Sequence, residues 1–476
     1  MTFVFYDAET TGLRVGFDQI VQFAAIKTDN DLNEIDRFEV RSRLLPYVVP
    51  HPKALLTNGI PIETLIDDHL PSHYQMVVEL RRRLLSWSPA IFVGYNSMRF
   101  DEEMLRHALF QTMHPAYLTN TNNNCRADAM GLALSAAALA PGALVVPVNH
   151  EGRSVFRLAE LAAANGLSAG KSHDAIADAA SALDISRLVK NRAPEVWQRF
   201  VKFSKKATVA DFVDVEDGFV LTEFFSNDAY HTPVVLLGPD PVVTNRRLCL
   251  RLDIDLDAFE RMSDQELRVE FSRKPNPMRV VKVNAAPTMT ELFEAPDTML
   301  GGVSFERFEE LARRVKSNQP FRSRLIENYL AARRAFDQPE VAEQRIHADL
   351  PGKEDEYRAA SFHEVSWPDA TRLLLEMNHE DLRTFGSRVI YCEARSSLPE
   401  EMRLAVEREL TDRLIVETKY GFTLHQAMEA VDGMIDTVPD SAGILGGYRN
   451  YLLVRQQRVE TFRSTAFAAK VAATAE

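Results

Sequence analysis

Cysteine is scarce. The 476 residues include three, Cys125, Cys249 and Cys392, far apart and without a CxxC pair. That argues against a zinc site or a disulfide framework and suits a reducing compartment. Long hydrophobic runs are missing too. The most apolar segment, Leu132 to Val146, is too short to span a bilayer and is interrupted by Pro141 and Gly142. No basic region precedes an apolar stretch at the N-terminus, so the sequence predicts no signal peptide and a cytoplasmic protein without membrane attachment. Positive charge is in deficit, with 55 Lys and Arg against 68 Asp and Glu and a net charge of −13. That disfavours a nucleic-acid binder held by bulk electrostatics, although a local basic groove can still do the work. No internal repeat is visible. What remains is ordinary globular composition, 46% apolar and 26% charged, in a chain long enough for more than one domain.

The order of elements follows from the patterning. Thr2 to Gly12 opens as an apolar, aromatic strand. Gln19 to Lys27 and Ile35 to Ser42 complete an antiparallel meander with polar turns. Met76 to Trp87 has helical periodicity, Ala90 to Tyr95 is a short buried strand, and Glu102 to Gln111 is a helix. An Asn-rich loop, Thr119 to Asn124, leads to a helix near Asp128 to Leu139. Phe156 to Asn165 is a helix closed by Gly166, and another starts at His173. Strands, then helices interleaved with a strand, predict an α/β core. After Arg192-Ala193-Pro194 the pattern becomes β-rich, with Phe219 to Phe225, Pro233 to Gly238, Arg247 to Ile254 and Arg279 to Asn284 as strands of a small barrel or sandwich. Two amphipathic helices, Phe305 to Lys316 and Phe321 to Ala335, follow. Asp337 to Glu354 is polar with two prolines and predicts a linker. The remainder is helical: Pro368 to Met377, Glu400 to Thr418, Leu424 to Thr437 and Tyr448 to Val471.

Three acidic motifs stand out. In Asp7-Ala8-Glu9 the strand alternation puts both carboxylates on one face. They repel, so either they are solvated or a cation sits between them, and hard oxygen ligands favour Mg²⁺ or Mn²⁺. Gly94 to Asp101 is a strand end and turn in which Asp101 opens a helix, either as a simple N-cap or as a partner of the first two acids, with Asn96 holding the turn or touching substrate. In Ser172-His173-Asp174-Ala175-Ile176-Ala177-Asp178, Ser172 or Asp174 caps a helix, and Asp178 lies one turn in. Alanines at 175, 177, 179 and 180 keep that turn slim, so a close approach to the sheet is open to Asp178.

The set Asp7-Ala8-Glu9, Asn96 to Asp101 and His173 to Asp178 resembles the three motifs of the DEDDh 3′→5′ exonucleases. Within that superfamily the chain is most similar to the bacterial exonuclease I family, through Gln22 to Asp29, Gly94 to Asp101, Phe156-Arg157-Leu158 with Ala164-Asn165-Gly166, and His173-Asp174-Ala175 with Ala177-Asp178. The likeness is specific over about the first 190 residues. Beyond them it rests on length and domain order, with Tyr357 to Ala370 as the clearest later echo. The resemblance implies an α/β fold of three units: an RNase H-like exonuclease domain over 1–195, an SH3-like barrel with flanking helices over 196–345, and a helical domain over 354–476. It implies two Mg²⁺ ions, replaceable by Mn²⁺, held by Asp7, Glu9, Asp101 and Asp178, with His173 taking the proton from the attacking water. Thr10, Asn96, Arg126 and Arg157 become candidates for contacting substrate, a buried-edge salt bridge being the alternative for each arginine. The implied partners are the 3′ end of single-stranded DNA and the C-terminal tail of single-stranded DNA-binding protein, met by a monomer.

Two departures from the family accompany the match. Thr11 and Ala127 stand where aromatic residues are expected. Two other functions compete with hydrolysis of single-stranded DNA. One is the same chemistry on RNA 3′ ends, as in the shorter oligoribonucleases. The other is an inactive single-strand-binding adaptor, against which the intact acids argue.

Overall fold

A computed structural model describes residues 2–167, 174–334, 338–438 and 442–474. Its first sheet is built around β1 (Thr2–Thr10), with β2 (Ile20–Thr28) and β3 (Glu34–Arg41) on one side and β4 (Ala90–Gly94) and β5 (Cys125–Asp128) on the other, in the order β3-β2-β1-β4-β5. The three-strand meander is antiparallel as its polar turns require, whereas β4 pairs parallel to β1 and β5 parallel to β4. The sequence pattern runs from the Asn-rich loop straight into a helix. The structure inserts β5 there, four residues of mixed polarity that carry no period-2 signal.

β1 is covered on both faces, and its alternation sorts its side chains accordingly. Phe3 and Phe5 point into a core shared with helices Ala129–Leu139 and Ala175–Arg192. Val4, Tyr6 and Ala8 point into a second core with helices His73–Ser86 and Asp101–Gln111. The odd-numbered face therefore carries Asp7 and Glu9 toward the helix that holds Asp178.

Helix Pro194–Phe203 joins this unit to the next. Val196 and Trp197 pack in the first core, with the Trp197 ring 5.2 Å from Phe3, while Phe203 enters the core of the second sheet. That sheet is antiparallel, ordered β10-β6-β7-β8-β9 from strands β6 (Phe219–Phe225), β7 (Asp228–Pro239), β8 (Arg246–Arg251), β9 (Met278–Lys282) and β10 (Thr288–Glu291). Four of these strands are legible in the sequence. β10 is again four residues long. Helices Asp264–Ser272, Phe305–Ser317 and Gln319–Ala332 cover one face and helix Lys206–Val215 the other.

The polar stretch before the third unit is anchored from 338 onward, Asp337 lying outside the described residues. A short 3₁₀ segment, Ala342–His347, buries Ala342 and Ile346, and Glu343 pairs with Arg388 at 2.6 Å and with Arg413. The third unit contains helices Lys353–Phe362, Trp367–Leu375, Glu380–Ala394, Glu400–Ile415, Leu424–Ile435 and Ala442–Thr474. It packs against the first unit, since Val431, Leu445, Tyr448 and Leu452 share a core with Val21, Val49, Leu55 and Ile60. Among the described residues no helix is long and apolar enough to cross a membrane.

β4 ends at Gly94, where a Cβ would lie 2.4 Å from both Cβ and Oγ of Ser97. Overpacking of this kind costs ~1–3 kcal/mol. Gly94→Ala is therefore expected to lower the urea midpoint with an unchanged slope, and an unchanged midpoint would show that the turn relaxes freely.

Candidate active site

Two carboxylates arrive on β1 and a third on the helix opposite. Helix Ala175–Arg192 buries Ala175, Ala179 and Ala182 against the sheet, and these small side chains allow the close approach. Asp174 is its N-cap, accepting the Ile176 N–H at 3.3 Å, and it also accepts the Gln22 amide at 3.4 Å. Asp178 follows in the first turn. Carboxylate oxygens of Asp7, Glu9 and Asp178 all lie within 4.8 Å of one another. His173, the expected proton acceptor, lies outside the described residues.

Asp101 reaches the cluster from the other face of the sheet. The N-cap position belongs to Phe100, which makes no side-chain cap, and Asp101 is the first helical residue, nearly buried. The backbone N–H of Ala8 favours its charged form, which places the carboxylate toward the end of β1. The loop that delivers it is strained and braced. Asn96 sits at φ 56°, an αL conformation that asparagine tolerates. Half-buried Asp128 accepts the N–H groups of Asn96 at 2.8 Å, Met98 at 3.3 Å and Met130 at 3.0 Å. Asp128 is thus a positioning residue for the second motif, which the sequence shows only as an acid near a helix start.

Burial is the largest influence on these acids, and mutual repulsion adds to it. Glu9 is pushed up to about 7 by desolvation and then by Asp178 and Asp174. Asp101 is also pushed up to about 7, by desolvation foremost and by the charges of Asp128 and Glu9. Asp7 is held well above the usual carboxylate range by desolvation, then by Asp101, Glu9 and Asp178. A protein stores such a cluster either protonated or around a cation. The donor set is all carboxylate oxygen, which fits a hard divalent ion, with Asp7, Glu9 and Asp178 as the ligands the geometry brings together and Asp101 at their side.

The other sequence candidates separate. Thr10 lines a cleft of about 780 Å³ that opens beside Glu9, and its hydroxyl donates to Gly12 O at 2.8 Å. Thr11 is buried and structural, with its hydroxyl donating to Asp18 and accepting the Gln19 N–H. Asn96 is exposed and lines a second groove, of about 380 Å³, between the first and second units with Arg99. Arg126 is committed elsewhere: it pairs with buried Glu102 at 3.1 Å and donates to Asn284 O at 3.2 Å. Glu102 also pairs with Arg106 and accepts the Tyr6 hydroxyl, so for Arg126 the salt-bridge alternative is the one adopted. Arg157 is exposed and pairs with Glu160 at 2.6 Å, a surface contact of small worth. Arg99 was not singled out in the sequence. It stands with Arg246, Lys282 and Arg126 in a basic group whose mutual repulsion, after burial, lowers the Lys282 pKa.

The raised values have a consequence with a definite sign. Unfolded Glu and Asp titrate near ~4.3 and ~3.9. Between those values and about 7 the cation-free folded chain therefore holds more protons than the unfolded one, and its stability falls as pH rises. The expected result is a Tm in EDTA that drops from pH 5.5 to 8, and a Tm gain on adding Mg²⁺ or Mn²⁺ that is larger at pH 8 than at 5.5. A metal-induced gain that is equal at both pH values would contradict the cluster's assignment.

Residues 4–186 match the family model described as Exonuclease (RNase_T). Exodeoxyribonuclease I of Escherichia coli K12 is 30% identical over 217 residues, a stretch that spans 45% of this chain and 45% of that relative. The sequence match thus covers about half the length of that protein. In structure the likeness runs further. Exonuclease I from Methylocaldum szegediense superposes with a TM-score of 0.82 at 21% identity, covering 95% of this chain and 99% of that one. E. coli exonuclease I in complex with a dA16 oligonucleotide gives 0.81 at 19% identity, with the same coverage. Residues 4–186 thus match an Exonuclease (RNase_T) domain, in a chain whose fold follows solved exonuclease I structures over 95% of its length.

Proposed function

We propose that this chain is a divalent-metal-dependent 3′→5′ exonuclease that removes 5′-mononucleotides from single-stranded DNA. The observation that carries the reading is the convergence of Asp7, Glu9 and Asp178, with Asp101 beside them, at the end of a buried strand next to an open cleft. Two metal ions held by these four acids would activate water and stabilise the leaving 3′ oxygen of a phosphodiester. The chain's own residues do the rest. His173 accepts the proton of the attacking water, a task suited to an imidazole whose unperturbed pKa is about 6.5. Asp128 and Gly94 fix the turn that delivers Asp101. Thr10 and Asn96 meet the substrate from the clefts they line, and Arg99, Lys282 and exposed Arg157 meet its phosphates. Arg126 acts from beneath by neutralising Glu102.

Single-stranded DNA is favoured over RNA because solved structures of the similar E. coli protein hold dA16 and dT13 oligonucleotides. A zinc-bound form of that protein's single-stranded DNA complex supports metal dependence, and Mg²⁺ is the ion proposed for this chain. A further similar structure, of SSB/exonuclease I in complex with the inhibitor CFAM, supports the tail of single-stranded DNA-binding protein as a partner here. The chain is proposed to act as a monomer, and a reducing cytoplasm suits its free cysteines.

With end-labelled single-stranded DNA, duplex DNA and RNA, the expected outcome is stepwise release of mononucleotides from the 3′ end of single-stranded DNA, abolished by EDTA. Asp7→Ala and His173→Ala are expected to lower kcat by ~10²-fold or more, the size of a lost general base or ligand. Faster loss of RNA, or turnover that survives EDTA, would overturn the reading.

A further inference from the structure

The cleft beside Glu9 is not built by the exonuclease domain alone. Its near side is Ala8, Glu9, Thr10, Leu13 and Phe100, and its far side includes Gly421, Phe422 and Gln426, which arrive from the helical unit some four hundred residues later. These far residues are held in register. The Phe422 ring stacks on His51 at 5.1 Å with an interplanar angle of 23°, and the Arg14 guanidinium lies 5.1 Å from its centroid. Arg14 is itself fixed by the fully buried carboxylate of Asp18 at 2.7 Å and reaches Tyr420 O at 3.5 Å. Phe17 and Tyr420 stack almost parallel at 5.5 Å. Behind the wall, helix Leu424–Ile435 starts on a capping box in which Gln426 Oε1 accepts the Thr423 N–H at 3.0 Å.

The chemistry of the cleft follows from these contacts. Its walls are largely apolar and aromatic, as suits a flat ring system. Beside acceptors such as Glu9, the cleft offers donors on its far side: the capping box uses the Gln426 oxygen and leaves its NH₂, and His51 Nδ1 accepts the Lys53 N–H at 3.2 Å, which leaves Nε2–H as the donor of the neutral ring. Every base presents acceptors to such donors, so the arrangement holds a nucleoside without demanding a sequence. With Glu9 at one end, the phosphate of that nucleoside lies toward the acidic cluster. We propose that the helical unit forms one wall of the terminal-nucleoside pocket, with Phe422 as that wall and Gln426 as a donor to the base, so that these two residues set how tightly the 3′-terminal nucleotide and the released nucleoside 5′-monophosphate are held. This rests on the exonuclease reading, which it refines.

The test uses the full chain as wild type, Phe422→Ala and Gln426→Ala. The readouts are steady-state hydrolysis of oligo(dT), inhibition by thymidine 5′-monophosphate, calorimetric titration of that nucleotide in Mn²⁺, and affinity for a long oligo(dT) in EDTA. Each substitution is expected to weaken nucleotide binding and lower kcat/KM by ~3- to 10-fold, the size of a lost hydrogen bond or partial wall. Long-strand affinity, which is spread over many phosphates, is expected to stay within ~2-fold. If Phe422→Ala lowers Tm and loses activity together, Gln426→Ala decides alone. Variants with wild-type nucleotide affinity and kcat/KM would overturn the proposal. If the wild type leaves single-stranded DNA intact, the exonuclease reading has failed, and the calorimetric arm still decides whether Phe422 and Gln426 hold a nucleotide.

Discussion

Like charges brought together out of water are the constraint on which this structure turns. Asp7, Glu9 and Asp178 stand within a few ångströms at the end of a strand covered on both faces, and Asp101 presses on them from the other side. Desolvation alone would leave such acids protonated, and repulsion reinforces it. The surroundings make sense as devices that hold the acids there regardless. The alanine face of helix Ala175–Arg192 brings Asp178 within reach. Asp128 accepts two backbone N–H groups of the turn before Asp101, those of Asn96 and Met98, while capping its own helix at Met130. A divalent cation resolves the conflict that these devices maintain, and the pH at which the acids would otherwise ionise is where the cation matters most.

The remaining architecture surrounds that point without sharing its chemistry. Helix Pro194–Phe203 is buried in both of the cores it joins, so the second sheet is fixed against the exonuclease domain by the same helix that ends it. The groove between them carries Asn96 and Arg99 and lies near Lys282, a local concentration of positive charge in a chain whose total is −13. The helical unit closes the opposite side through Phe422 and the Arg14 contacts. The acidic total and the basic groove are compatible because field strength at a site depends on the nearest charges.

Much of the site was legible in the sequence because strand alternation is a local rule. It places Asp7 and Glu9 on one face whatever the rest of the chain does, and the alanines around Asp178 announce a close approach. Asp101 is ambiguous because a helix-opening acid is most often a cap, and only its place beside Asp7 and Glu9 separates the two roles. Arg126 looked like a phosphate ligand because a basic residue beside an acidic motif is indistinguishable from one bound to a buried Glu102 across the sheet. β5 and β10 escaped notice because four residues cannot display a period. Phe422 and Gln426 have no such signal, since nothing local marks a residue that completes a cleft from the far end of the chain.

If these carboxylates hold divalent cations, calorimetric titration with Mn²⁺ at pH 8 will show it. Two ions are expected to bind per wild-type chain, with a reduced stoichiometry or sharply weakened affinity in Asp178→Asn. Absence of binding by the wild type at millimolar Mn²⁺, or an Asp178→Asn isotherm that superposes on it, would rule out a metal site at these acids.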